Sequence, residues 1–315
     1  SQMEIYDGNQ WTGILATSPE LQTGGTRGVL MGGGTPSATN DIDFITIPTT
    51  GNALDFGNLA SNRRGPNRGQ AASRVRGLAM GGNPSLDTVA SITISSTGSA
   101  TDSGGILTQG RRLGAGVSNQ IRALYAGGLT SGAVNTIDVT DIASLGSFKD
   151  FGDMTASRYF CSGVSSPTRG LFVAGYSGSA YVKTIDFVTI AHTGNAQDFG
   201  DMTQNGQPDA AGNSVRGIFS GGITPSYTNV IEYLTIATLG NGTDFGDLTF
   251  QKEQSQAVSS PTRFVSMSGR NNSSNMIDEM DYVQIMTTGN ATNFGEIVGS
   301  DRLRAAGVSN GHGGL

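Results

Sequence analysis

Apolar positions along the chain fall in short runs of about five to seven residues, bounded by Gly, Asn, Ser and Thr, which predicts short strands between tight turns. The clearest stretch is Arg169 to Met202, RGLFVAGYSGSAYVKTIDFVTIAHTGNAQDFGDM. It opens with Arg, climbs through apolar residues to a glycine, crosses a loop and enters an I-D-F-V-T-I run. A turn glycine and a D-F-G anchor close it. The unit recurs six times, with its Arg at Arg27, Arg76, Arg122, Arg169, Arg216 and Arg263. The turn glycine falls at Gly51, Gly98, Gly146, Gly194, Gly240 and Gly289, and the anchor at Asp55, Asp102, Asp150, Asp198, Asp244 and Asn293. The Arg-to-Arg steps are 46 to 49 residues. Four short strands per repeat at this period predict blades of a β-propeller.

Within a repeat, strand a is small and apolar (Ser162-Gly163-Val164), strand b runs from the Arg to the glycines, strand c is the I-D-F-V-T-I run and strand d holds D-F-G. After the sixth anchor comes Leu303-Arg304-Ala305-Ala306-Gly307-Val308-Ser309-Asn310, a match to the strand a of Leu113 to Asn119. The first repeat lacks a good strand a, so this spare strand is expected to complete blade 1 and close the ring. The expectation is a six-bladed, all-β propeller of four-stranded blades over residues 26–315, preceded by an extension over residues 1–25. In that extension IYDGNQW reads as a short hairpin able to bring Tyr6 and Trp11 together. The chain starts SQMEIYD, without Met at position 1, and so reads as processed or cut from something longer.

Composition fits many tight turns. Glycine is 48 of 315 residues, about twice the ~7% background, without a G-X-Y period. Charged residues are 14%, below the usual ~25%, and the net charge of −6 gives no nucleic-acid footprint. The single Cys161 excludes an internal disulfide and suits a buried slot. No apolar run approaches the length of a membrane-spanning helix.

Candidate catalytic motifs fail one by one. D-F-G without a catalytic H-R-D, and recurring in each register, is architecture rather than a kinase signature. His192 and His312 are distant and lack Cys partners, which excludes the usual zinc sites and disfavours a Ser-His-Asp device. No G-K-[ST] phosphate loop exists, and with Trp11 as the only Trp the sialidase boxes are absent. The strand c acids Asp43, Asp138, Asp186, Glu232 and Asp281, with Ala90 in repeat 2, come one per blade, whereas calcium needs clustered oxygens. No catalytic, cofactor or metal residue is expected. The strand b Arg and the anchor Asp, as Arg169 and Asp198, are expected to pair.

The a–b and c–d turns are standardised, while the b–c and d–a loops, on the opposite face, differ in length and chemistry. Binding residues commonly sit on variable loops of a rigid scaffold. Those loops carry Arg63, Arg64 and Arg68, Arg158 and Tyr159, and Tyr176, Tyr181 and Tyr227. Aromatic and Arg side chains are the usual anchors of binding surfaces. Arg63, Arg64, Tyr176, Tyr181 and Tyr227 are therefore the candidate ligand contacts.

The glycines after strand b give a loose similarity to kelch propellers, without the kelch Tyr and Trp positions. Asn135-Thr136-Ile137-Asp138, Thr184-Ile185-Asp186-Phe187-Val188-Thr189-Ile190, Thr193-Gly194-Asn195-Ala196 and Asp198-Phe199-Gly200-Asp201 resemble the D-F-G repeats of virion proteins of marine tailed phages, including cyanophage tail-fibre-like proteins. The resemblance spans about residues 26–310, and IYDGNQW looks like the segment that precedes such propellers. Asp102-Ser103-Gly104 and Ala90 make repeat 2 depart most. The resemblance implies a non-enzymatic virion protein. Its extension would contact other virion proteins and its variable face a host surface glycan, with no cofactor, nucleic acid or membrane insertion. The alternatives are a capsid or tail decoration protein and a kelch-like interaction module.

Overall fold

The repeats fold into antiparallel sheets in the order a, b, c, d, because short β-branched runs joined by tight glycine turns pair most readily with their neighbours in sequence. The computed structural model describes residues 3–6, 11–14, 26–34, 37–204, 206–223, 226–273, 275–299 and 302–315. Six such sheets stand in a ring, giving a six-bladed all-β propeller. In blade 4, Ser162–Ser165 pairs with Arg169–Tyr176, which pairs with Tyr181–Thr189, which pairs with Gln197–Asp201. Blade 2 has three strands, Arg76–Met80, Thr88–Thr93 and Thr101–Ile106, and its inner strand is reduced to a bridge from Ala72 to Gly77.

Blade 1 closes as the spare strand predicts. Ala306–Ser309 pairs antiparallel with Arg27–Met31, placing Ala306 opposite Met31 and Ser309 opposite Gly28. The Arg27 amide also donates to Asn310 Oδ1 at 2.8 Å. In the extension, Met3–Tyr6 pairs with Trp11–Ile14, with Tyr6 opposite Trp11 in the register. The rest of residues 1–25 lies outside the described residues.

The core lies between adjacent sheets. Val164, Leu171, Val173 and Phe199 of blade 4, for example, cluster with Ala210, Phe219 and Leu234 of blade 5. The D-F-G motif is the seam of that contact. Phe199 is buried and meets Phe187 edge-on at 5.9 Å. The Phe199 carbonyl accepts from Gly240 at 3.0 Å and the Asp201 carbonyl from Gly242 at 2.8 Å, so the next blade's c–d turn covers the outer edge of strand d. Gly200 has φ of 145°, and a Cβ there would stand 2.5 Å from the Gly240 oxygen. Asp198 is exposed. Cys161 is fully buried, as its small-residue slot suggests, and burial pushes its thiol pKa up.

Contrary to the sequence-based expectation, Arg169 does not pair with Asp198. Arg169 stands opposite Thr189, beside the c–d turn, and its Nη1 donates to the Ile236 and Ala237 carbonyls of blade 5 at 3.0 and 2.8 Å. Its guanidinium lies 5.0 Å from the Phe187 ring centroid. Asp198 is registered against Asp186, farther along strand c. The staple repeats in the same sense around the ring, and Arg263 completes it by donating to Ile47 and Pro48 of blade 1 at 3.1 and 2.7 Å.

The strand c acids serve the opposite end of each blade. Asp186 is buried, accepts from Thr155 Oγ1 at 2.7 Å and pairs with Arg158 at 3.0 Å. Asp138 pairs with Arg111 at 3.2 Å, Asp281 with Lys252 at 3.3 Å and Asp43 with Arg302. Glu232 accepts from Thr203 instead, through its amide at 2.9 Å and its hydroxyl. Each carboxylate is held by the loop that enters its own blade.

Candidate functional site: the axial mouth of the variable face

Where neighbouring inner strands approach closest near the axis, only glycine fits. A Cβ on Gly163 would lie 2.4 Å from the Gly116 oxygen. The axis itself is filled from blade 2, whose shortened inner strand leaves space. Arg68 is 1% exposed; its Nη2 donates to the Gln207 and Pro208 carbonyls of blade 5 at 3.1 and 2.9 Å. Gln70 Nε2 donates to Ser259 Oγ at 2.7 Å and Gln70 Oε1 accepts from Ser309 Oγ at 2.7 Å.

At the standardised end, His312 closes the axis. Its Nε2 lies 3.0 Å from the Ala72 carbonyl and 3.2 Å from Ser118 Oγ, and its Nδ1 accepts from the Gly314 amide at 3.1 Å. That set assigns the proton to Nε2 of a neutral ring. Burial lowers its pKa to about 4.

The other end opens on the variable face, and every blade contributes to it. A residue with left-handed backbone precedes strand a in several blades: Leu113, Phe160, Gln254 and Arg304, at φ of 57° to 60°. Backbone bonds link them around the mouth: Arg304 N to Gln254 O at 3.1 Å, Gly65 N to Arg304 O at 2.7 Å, and Leu113 N to Gly65 O and Phe160 N to Leu113 O, both at 2.8 Å. Of these residues, Arg304 stacks over Phe160, which packs on Tyr159, while Leu113 and Gln254 are buried beneath.

One half of the rim is aromatic. Phe160 and Tyr159 are 5.3 Å apart, Tyr159 and Tyr176 are 5.5 Å apart, and Tyr176 and Tyr181 are 5.0 Å apart, the last two pairs edge-on. Gln207 Nε2 donates to the Tyr181 hydroxyl at 3.3 Å. The other half is cationic. Arg304 lies 5.0 Å over Phe160 and donates to Gln254 Oε1 at 2.6 Å. Arg270 lies 5.7 Å from the Tyr227 ring and donates to Glu253 Oε1 at 2.6 Å. Arg112 donates to Asn83 Oδ1. Burial, then the repulsion of Arg64, Arg68 and Arg270, brings the Arg304 pKa down to about 10. Burial, Arg270 and Arg112 lower that of Arg64. Burial raises the pKa of Tyr159 and of Tyr181.

Of the residues expected to contact ligand, Tyr176, Tyr181, Tyr227 and Arg64 are half-buried on this face. Arg63 is set back beneath it at 4% exposure; it takes the structural place that Arg111 and Arg158 hold in other blades. Blade 2 has Ala90 where those blades have an acid, and Arg63 Nη1 donates instead to the Ala79, Gly81 and Thr88 carbonyls at 2.9, 3.0 and 2.9 Å. Arg112, Arg270 and Arg304 were not among the expected contacts. Aligning the repeats on the loop cation exposes part of the signal: the two residues after Arg63, Arg111, Arg158, Lys252 and Arg302 differ from blade to blade and include Arg112 and Arg304, whereas Arg270 lies in a b–c loop outside that alignment.

A groove of about 320 Å³ beside Arg122 in blade 3 recurs at about 260 Å³ beside Arg76 in blade 2, so it follows the repeat rather than the variable loops. Among the described residues no group of three His, Cys, Asp or Glu is placed to hold a metal ion. No protein-family model matches the chain, and a search of curated proteins finds no match.

Proposed function

We propose that the chain is a non-enzymatic virion protein of a tailed phage, a tail-fibre or receptor-binding propeller whose variable face contacts a host surface glycan. The phage assignment rests on the resemblance of the repeats. The adhesive assignment rests on one observation: six blades built alike at one end deliver chemically different side chains to a single mouth at the other. Tyr and Arg stack on sugar rings or fill partner pockets at small cost in side-chain freedom. In this reading the extension attaches the propeller to the particle.

Glycan arrays and host-cell pull-down with the whole chain test the reading. Tyr181→Ala combined with Tyr227→Ala should weaken binding, while substitutions in the Ser166–Thr168 turn should not. Absence of glycan and cell binding, with the mouth covered by another virion protein in intact particles, would replace adhesion by decoration.

A further inference from the structure

The charge of the mouth departs from that of the molecule. The chain carries a net −6, yet Arg64, Arg112 and Arg304 are brought to one rim. The Asn83 amide donates to the Arg64 carbonyl at 2.7 Å, Arg112 donates to Asn83 Oδ1, and the Gly65 amide donates to the Arg304 carbonyl at 2.7 Å. Arg270 is near enough to repel Arg64 and Arg304, and Arg68 is buried below. The carboxylates that offset them are few and already engaged. Glu253 is 1% exposed and bound to Arg270; Asp209 is 1% exposed and accepts from the Ser220 and Ser266 hydroxyls. Like charges gathered at one rim repel, so the arrangement is stabilised by anything that brings anionic oxygen to it. Beside them runs the edge-to-face file from Phe160 through Tyr159 and Tyr176 to Tyr181. A flat apolar ring face next to a guanidinium suits a sugar ring bearing an acidic substituent.

We infer that the axial mouth is a binding site for an anionic saccharide, its carboxylate or sulfate ester held between Arg112, Arg304 and Arg64 and its ring laid against Tyr159 and Tyr176. The inference rests on the glycan-adhesion reading and narrows its ligand class. Arg304 is held for this purpose by Gln254 on one side and Phe160 on the other. Arg68, locked to blade 5 carbonyls, adds fixed positive potential beneath the site without touching the ligand. Tyr181 is steadied by Gln207 at the edge of the platform.

The test uses the whole chain and four probes of matched length, measured by calorimetry at 50 mM salt. These are a polyuronate, a sulfated galactan, a neutral glucan and polyglutamate. The two acidic saccharides should bind and the neutral glucan should not. The acidic saccharide preferred by the protein tells carboxylate from sulfate. Binding should weaken at least tenfold at 0.5 M salt, where charges are screened beyond about 4 Å. Arg112→Gln and Arg304→Gln should each weaken it at least tenfold, and Tyr159→Leu at least threefold. Arg74→Gln, an exposed Arg on the standardised face, should leave it unchanged and so separates a local site from general charge. Circular dichroism melts of each variant separate a lost contact from a lost fold. Equal binding of polyglutamate would overturn the saccharide assignment. A neutral glucan bound as well as the acidic ones, with no effect of Arg112→Gln, would overturn the anionic site and leave adhesion standing. No saccharide binding at all would overturn both.

Discussion

Single residues in this propeller act mostly across blade boundaries. Arg169 bonds two carbonyls of blade 5 and covers Phe187. Arg169→Ala should therefore cost about 1–3 kcal/mol, the range for charge-assisted bonds to otherwise unpaired acceptors. Asp198→Asn should leave the melting temperature unchanged, and a double-mutant cycle on the two should show no coupling. Gly200 is more constrained, since its φ of 145° and the Gly240 oxygen 2.5 Å from a built Cβ oppose any side chain. Gly200→Ala should cost about 2–4 kcal/mol in chemical denaturation, combining backbone strain with a steric clash.

At the scale of the strand and loop, ion pairs anchor the d–a loops entering blades 1, 3, 4 and 6 to those blades. Arg158→Ala strands a buried Asp186 and should cost about 3–5 kcal/mol, the usual effect of orphaning one partner of a buried pair. Arg158→Met with Asp186→Leu should recover part of that loss. Calorimetric melts of the single and double variants check both. Strands, blade number and closure were legible because apolar runs, turn glycines and the surplus Leu303–Asn310 segment are properties of the linear chain. The Arg169 staple was not legible, since the sequence shows that Arg and Asp recur together but not which blade each reaches. Arg63 was misplaced for the same reason: a loop Arg looks exposed unless the repeats are aligned on the loop cation. The placement of Tyr176 and Tyr181 on the variable face was legible because both lie in a b–c loop, and every b–c loop leaves its blade at that end. Arg304 was hidden inside the match that revealed closure, and only the fold brings it against Phe160 and Gln254.

The molecule as a whole is tied at two places on its axis. Deleting residues 303–315 removes the inner strand of blade 1 and should lower the melting temperature and promote aggregation through the newly open strand edge. An unchanged melt would contradict closure. His312 adds a pH dependence. Its pKa is about 4 in the folded chain against about 6.5 when unfolded, so between those values the unfolded state binds more protons. Stability from this group is complete above pH 6.5 and is lost as pH falls towards 4, by up to about 3 kcal/mol. His312→Gln should flatten that part of a stability–pH curve measured by urea titration.

The staple of Arg263 onto blade 1 has one more consequence, for the rate at which the molecule comes apart. In an open array of stacked repeats the end units have one neighbour, fray first and lead the rest into unfolding. Here the last blade grips the first with the same bonds that join the others, so no blade is an end unit. Detaching any one of them means rupturing two interfaces at once. Unfolding should therefore be slow relative to what the equilibrium stability alone implies, and resistance to denaturant and protease over days would be a property of the ring rather than of its blades.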